Sequence, residues 1–373
     1  MGEEVTILLN EFKKKDKKVY HILNKVISGD RITFDEGVKL FECDDLGVLG
    51  AIANYVKEEM HGEHIFFNKN LHIEPTNICI YNCTFCTYSK KPGEEGCFEA
   101  KPGEMVKKIV DLKDSITEVH IVGGVHPDFD LEYYCNLFAS IKEVVPDIII
   151  KGLTAIELDY IFTKAGVDIG EGLKRLIESG LEAIPGGGAE IFDEKIRKEI
   201  CKDKATTKAW LSIHEEAHKL GVYTNATMLF GHIESFEHRV DHLNRLRELQ
   251  DKTKGFNAFI PLKFRNFGNN NLGIEEASPH DVLKTIAISR IFLDNIPHIK
   301  AYWPDIGQQL AQIALSFGAD DLDGTVDNTK IYIKDESEKL NLTEQEIIRI
   351  IKEAGKTPVE RDTFYNVLRI IKE

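Results

Sequence analysis

Three cysteines fall within eight residues, in the run Cys79-Ile80-Tyr81-Asn82-Cys83-Thr84-Phe85-Cys86. The spacing is C-x3-C-x2-C, directly after a short apolar run at 71–74 that reads as a strand. Three thiolates this close on one loop wrap three corners of a 4Fe–4S cube and leave the fourth iron without a protein ligand. An open iron is what an exogenous chelating ligand requires. Zinc is the alternative. It favours paired C-x2-C units or a fourth Cys or His, and Cys97, eleven residues past Cys86, offers one by arithmetic. Cys43, Cys135 and Cys201 are scattered and read as ordinary thiols.

A second metal pattern lies at His214-Glu215-Glu216-Ala217-His218, which satisfies the H-E-x-x-H of zinc peptidases. Glu234 is a conceivable third ligand, and Thr224 stands where some such enzymes carry a third histidine. Trp210, Ile213 and Ala217 share the histidine face, so that face is expected to pack against a sheet. Structural histidines are therefore the expectation here.

Both motifs need a scaffold. Short apolar strands are predicted at 71–74, 118–122, 148–152, 182–185, 223–230, 255–261, 298–303 and 319–324. Amphipathic helices are predicted between them at 102–111, 131–143, 169–179, 206–220, 236–249 and 279–293. Such alternation indicates parallel β/α units and an α/β fold class, best matched by a (β/α)8 TIM-type barrel over 70–325. An open doubly wound sheet competes. Barrel chemistry sits on the loops after the strands, which favours the cysteine loop over a motif inside an outer helix.

Residues 1–69 read as a helical N-terminal extension packed on the barrel, with Val5, Leu8, Leu9 and Phe12 at helical spacing and Thr33 or Asp35 as a cap. Residues 326–373 read as a C-terminal helical extension. There Thr343 and Glu346 form a capping-box pattern, and a second short helix is predicted at 362–371.

Composition narrows the function classes. Lys plus Arg is 47 and Asp plus Glu is 62, a net charge of −15, which argues against nucleic-acid binding. The apolar content of 42% supplies a sizeable core, and no apolar run reaches the ~20 residues that span a bilayer. Seven cysteines cannot all pair within one chain, so they read as thiols of a reducing, cytoplasmic compartment.

C-x3-C-x2-C after the first barrel strand resembles the radical S-adenosylmethionine (SAM) superfamily, whose members chelate the fourth iron with the amino and carboxylate groups of SAM. Phe85 matches the aromatic position usual in that loop. Gly123-Gly124 matches the Gly-Gly-Glu segment that binds the methionine amine, without its acidic third residue. Thr227, Leu229, Gly231 and Glu234 resemble the adenine-binding pattern G-x-I-x-G-x-x-E, with Thr for the first Gly. The segments 151–157 (KGLTAIE), 185–190 (PGGGAE), 226–234 (ATMLFGHIE), 289–303 (SRIFLDNIPHIKAYW), 317–326 (FGADDLDGTV) and 358–365 (PVERDTFY) resemble the aminofutalosine synthase family of menaquinone biosynthesis. The polar stretch 327–340 departs from the Ala/Gly-rich sequence usual in that family.

The resemblance implies a 4Fe–4S cluster on Cys79, Cys83 and Cys86, with SAM as co-substrate. It implies addition of the 5′-deoxyadenosyl radical to the enol-ether alkene of 3-[(1-carboxyvinyl)oxy]benzoate, giving aminodeoxyfutalosine. An electron donor such as flavodoxin or ferredoxin is implied, and no nucleic-acid or membrane partner. A sister enzyme, cyclic dehypoxanthinyl futalosine synthase, is the alternative, with the zinc peptidase remote. For a substrate with two carboxylates, the cationic or hydrogen-bonding candidates at strand ends are Lys151, Lys263, Arg265, His298 and Lys300. His126, Glu157 and Glu190 are the catalytic candidates.

Alanine at Cys79, Cys83 or Cys86 is expected to abolish SAM cleavage, because two thiolates rarely hold a cube. Replacing Cys43 is expected to leave activity near wild type. Anaerobic assay of methionine release from SAM checks both, and a Cys83→Ala protein that still cleaves SAM refutes the cluster assignment.

Overall fold

The computed structural model describes residues 3–266, 273–327 and 340–372. The strands are β1 (His64–Phe67), β2 (Asn70–Ile73), β3 (Glu118–Ile121), β4 (Ile149–Gly152), β5 (Leu181–Ile184), β6 (Tyr223–Phe230), β7 (Phe256–Lys263), β8 (His298–Ala301), β9 (Asp321–Leu322), β10 (Thr357–Arg361) and β11 (Val367–Ile370). They form one sheet in the order β11-β10-β1-β9-β8-β7-β6-β5-β4-β3-β2. Neighbours from β2 to β9 are all parallel. A parallel bridge between Asn70 and Thr325 joins the two ends, with Asn70 N–H on the Gly324 carbonyl (3.2 Å) and Val326 N–H on that of Asn70 (2.9 Å). The eight strands expected from the sequence are therefore β2–β9, curled into a barrel.

Period-two alternation sorts their side chains. In β2 and β3, Leu71, Ile73, Val119 and Ile121 join the hydrophobic core under the helices. Asn70, His72, Glu118 and His120 lie in register on the other face, inside the barrel. Such interiors are usually packed with branched apolar residues. This one is polar, and every buried charge in it needs a partner.

The helices at Pro102–Leu112, Leu131–Val144, Ile169–Glu178, Thr207–Lys219, Phe236–Thr253 and Pro279–Phe292 match the expected ones within a few residues. A further helix, Ala155–Ala165, follows β4, and its capping box is Thr154 with Glu157. Four helices precede β1: Glu3–Phe12, Lys17–Ile27, Phe34–Phe41 and Leu46–His61. The last packs on Pro279–Phe292, which is why every residue from Val282 to Phe292 is buried. Thr33 makes the capping box of Phe34–Phe41. No helix among the described residues is long and apolar enough to cross a membrane.

The C-terminal region differs from the expectation in one element. Thr343 and Glu346 do cap a helix, Glu344–Glu353. The second predicted helix, 362–371, is instead a turn followed by the short strand β11. β10 runs parallel along the free edge of β1, and β11 turns back antiparallel on β10. The open edge of β1 is a row of unpaired backbone groups, and pairing it outweighs a weak local helix pattern. The divergent stretch at 327–340 lies almost wholly outside the described residues.

Gly324 sits at the barrel seam. A Cβ there would lie 1.4 Å from the Asn68 carbonyl oxygen, a contact only backbone movement relieves. Gly324→Ala is expected to destabilise the chain by about 1–3 kcal/mol or more, read as a lower denaturant midpoint with an unchanged slope.

Candidate active site

The loop after β2 carries the cysteines to the barrel mouth. Its irregular backbone is tied down by side chains. Lys91 Nζ donates to the carbonyls of Cys79 (2.8 Å), Ile80 (3.3 Å) and Tyr81 (3.0 Å). Asn77 bonds across the loop to the Gly96 carbonyl and the Phe98 N–H. Thr84 N–H reaches the Ile200 carbonyl at 2.9 Å. The end of β3 packs directly on this loop. Gly124 N–H donates to the Thr76 carbonyl (2.8 Å), and Val125 N–H points at the Cys79 sulfur (3.4 Å). A Cβ on Gly124 would meet the Ile78 carbonyl at 2.3 Å, and one on Gly123 the Thr76 carbonyl at 2.7 Å. Only a glycine pair lets the two backbones approach so closely.

All seven cysteines are free, and Cys79, Cys83 and Cys86 are partly exposed. A cube takes one thiolate on each of three corners, and the loop offers three cysteines with Cys86 on the wall of a cavity, a donor set that fits a 4Fe–4S cluster.

Below the loop lies a cavity of about 310 Å³. Phe85, Cys86 and Gly123 line its mouth, and Gly186–Gly188, Glu190, Thr227 and Leu229 line one side. Ile260, Leu262, Lys263, Phe264 and Arg265, from the adjoining β7 and the loop after it, continue that wall, and His72, His120, Lys300 and Asp323 line the floor. Lys204 binds Glu190 at 2.5 Å and stands 5.3 Å from the Phe85 ring centroid. Burial opposes the Lys204 charge, but Glu190 together with Cys83 and Cys201 outweighs it and holds the lysine well above its ordinary value. At the floor, burial likewise opposes the charge of Lys300, and Asp321 (3.2 Å) and Asp323 (3.0 Å) outweigh it.

The sequence-predicted residues divide. Phe85, Cys86, Gly123, Glu190, Thr227, Leu229, Lys263, Arg265 and Lys300 meet in the cavity wall. The others do not line it. His126 is buried against Phe129 (4.2 Å between centroids), with Nε2 3.3 Å from Glu99. Lys151 points beneath the floor to Glu118 (3.3 Å). His298, at the opposite barrel end, binds Asp320 (2.5 Å) and stacks on Tyr365 (3.7 Å). Glu234 accepts from the Gly231 and His232 N–H groups and from Arg239. Burial disfavours its charge, but His232 and Arg239 bring it down to about 2. Gly231 has φ 83° and serves that turn.

Glu157 reaches the site through the backbone. One oxygen caps its own helix at Thr154 (2.7 Å), and the other accepts from Gly123 N–H (3.2 Å). It locks the glycine pair against the cysteine loop. The H-E-x-x-H motif is structural. His214 and His218 both bond the Thr224 hydroxyl at 2.8 Å and pack against Trp210 and Phe256. The residue that replaces a third histidine thus satisfies the other two.

His72, His120, Lys204, Asn225 and Asp323 were not singled out from sequence. For His72, His120 and Asn225 the available signal was a polar residue at alternate positions of a strand otherwise destined for the core; Lys204 and Asp323 lie outside the strands and carried no such signal.

Residues 73–246 match the radical SAM superfamily, and residues 253–373 match the CofH/MqnC C-terminal region. The FeFe-hydrogenase maturase HydG from Carboxydothermus hydrogenoformans superposes with a TM-score of 0.74, over 97% of this chain and 84% of that one, at 20% identity. That likeness shows the fold alone. Barrel, cysteine loop and cavity are those of a radical SAM enzyme. An aminodeoxyfutalosine synthase of Thermus thermophilus is 41% identical over 95% of this chain and 97% of its own length. A cyclic dehypoxanthine futalosine synthase of Halalkalibacterium halodurans is 34% identical over 94% and 95%. The chain belongs to the aminodeoxyfutalosine synthase family of the radical SAM superfamily.

Burial pushes the Glu157 carboxyl up to about 7 from 4.5. The folded state then holds a proton that the unfolded chain releases above about 4.5. Stability from this group is complete below pH 4.5 and is lost as pH rises through 7. The unfolding free energies of wild type and Glu157→Gln, compared from pH 4.5 to 8, are expected to diverge, the wild type losing stability with rising pH relative to the variant.

Proposed function

We propose that the cavity holds SAM at its mouth and 3-[(1-carboxyvinyl)oxy]benzoate beside it, and that the chain joins the adenosyl carbon to the enol-ether carbon to give aminodeoxyfutalosine. The observation that carries this reading is that Cys86 and three cations, Lys263, Arg265 and Lys300, line one cavity. Cys79, Cys83 and Cys86 would hold a 4Fe–4S cluster, which when bound and reduced would supply the electron for cleaving SAM to a 5′-deoxyadenosyl radical.

The chain's own residues position and exclude. Burial pushes the Cys79 thiol up, and the Val125 N–H directed at its sulfur partly opposes that rise. Gly123 presents backbone at the mouth, where a side chain would displace the cysteine loop. Thr227 and Leu229 line the adenosyl side, with the Thr227 hydroxyl turned to the Gly186 carbonyl (2.6 Å). Glu190, anchored by Lys204, offers an acceptor for ribose hydroxyls or the methionine amine. Ile260, Leu262 and Phe264 supply an apolar wall that keeps water from a reactive carbon. Lys263 and Arg265 face the carboxylate nearest the reacting alkene. A flavodoxin or ferredoxin in the cytoplasm is the proposed electron donor, reaching the partly exposed cysteine loop.

Anaerobic incubation of the reconstituted, reduced protein with SAM and the enolpyruvyl benzoate tests the reading. Aminodeoxyfutalosine is the expected product, with the adenosyl group retained. Turnover only of dehypoxanthine futalosine, with free 5′-deoxyadenosine released, would favour the sister reaction instead. Lys263→Ala is expected to raise KM for the benzoate about 10–100-fold, the worth of a charged hydrogen bond, with KM for SAM unchanged.

A further inference from the structure

Strand β7 outruns its neighbour. β8 pairs with it at Ala258–His298 and Phe259–Ile299 and ends at Ala301, whereas β7 continues to Lys263. Backbone N–H groups alternate sides along a strand. Phe264 N–H turns back to the Phe230 carbonyl on β6 (2.8 Å), so Lys263 N–H points to the side that β8 has left. Without its strand neighbour, that N–H needs another acceptor. Asp305 supplies it, Oδ2 accepting from Lys263 N–H at 2.5 Å. Asp305 is 5% exposed and belongs to the short helix Trp303–Ile306 that follows β8. Its Oδ1 has no partner among the described residues. The charged groups around this carboxyl are Lys263 and Arg265, both on the cavity wall, and Glu276.

We propose that Asp305 is a positioning residue for substrate recognition, fixing the backbone at Lys263 so that Lys263 and Arg265 are presented to the cavity. This rests on the reading of those two cations as the site of a substrate carboxylate. The segment has a second tie, at the rim. Glu276 binds Lys263 Nζ (2.5 Å) and accepts from Asn266 N–H (3.0 Å). A ligand carboxylate that takes Lys263 from Glu276 loosens that tie. The tie to Asp305 runs through the backbone, does not involve the lysine side chain, and persists with ligand bound. A segment held in place beforehand loses less freedom on binding. Burial pushes the Asp305 carboxyl up to about 7; the Lys263 N–H and the charges of Lys263 and Arg265 restrain that rise, and Glu276 adds to it. The neutral acid still accepts through Oδ2, so an amide of the same shape can replace it.

The test compares Asp305→Ala, Asp305→Asn and Lys263→Ala in the reconstituted enzyme. Asp305→Ala is expected to raise KM for the enolpyruvyl benzoate about 5–20-fold with kcat within about twofold of wild type. The Kd of SAM, measured by calorimetry on the reconstituted protein, is expected to be unchanged. Asp305→Asn, which keeps the acceptor for Lys263 N–H, is expected to recover most of the loss. If the alanine variant does not fold, Asp305→Ser, whose hydroxyl is too short to reach that N–H, carries the same expectation. A raised KM in Lys263→Ala with an unchanged KM in Asp305→Ala overturns the assignment of Asp305. So does an asparagine variant no better than alanine, or a loss of SAM affinity as large as the loss for the benzoate. An unchanged KM in Lys263→Ala is a different result: it removes the cationic reading of the wall, and the assignment of Asp305 with it.

Discussion

A barrel with charged side chains on its inner face is stable only if those charges balance. Glu118, Asp321 and Asp323 face Lys151, Lys300 and Arg361, all buried. Removing one partner of such a pair costs about 3–5 kcal/mol, because the survivor stays buried and uncompensated. Much of the architecture follows. Glu118 also accepts from Asn68 (2.8 Å) and the Thr363 hydroxyl, and Arg361 binds Asp321 at 2.7 Å. Arg361 and Thr363 come from the C-terminal segment, so that segment must dock for the interior charges to be met. β10 docks it, by pairing with β1.

The same balance sorts the cations. Lys151 is consumed by Glu118 beneath the floor and has nothing left for a ligand. Lys300 is shared with two aspartates but still reaches the cavity. Lys263 holds Glu276 at the rim, where an anion can compete for it. An acidic protein thus keeps lysine and arginine side chains on the wall of its barrel cavity.

The cysteine loop obeys a second, backbone constraint. It has no regular secondary structure to satisfy its carbonyls, so Lys91, Asn77 and the end of β3 do so. Glu157 transmits the start of its own helix to Gly123, coupling the strand-four turn to the strand-three turn. Both oxygens of the Glu157 carboxyl are thus engaged by the backbone of two neighbouring turns.

The local code of this chain was legible without coordinates. Strands β2–β9, six of the helices between them, the caps at Thr33 and Thr343 and the cysteine loop follow from side-chain period and short-range spacing, which depend only on neighbours in sequence. Even Thr154 and Glu157 carried a capping-box signature, although the segment reads first as a site motif. Tertiary structure decided the rest. β10 and β11 are strands because β1 had an edge to fill. His298 and Lys300, two residues apart on one strand, point into the same interior, yet one lies at the far barrel end and the other at the cavity. His214 and His218 pair with Thr224 instead of a metal, and both His72 ring nitrogens are buried without a partner among the described residues. Depth along a strand and the identity of a long-range partner are not encoded by residue type. They arise only when the barrel closes and brings distant residues to a few ångströms.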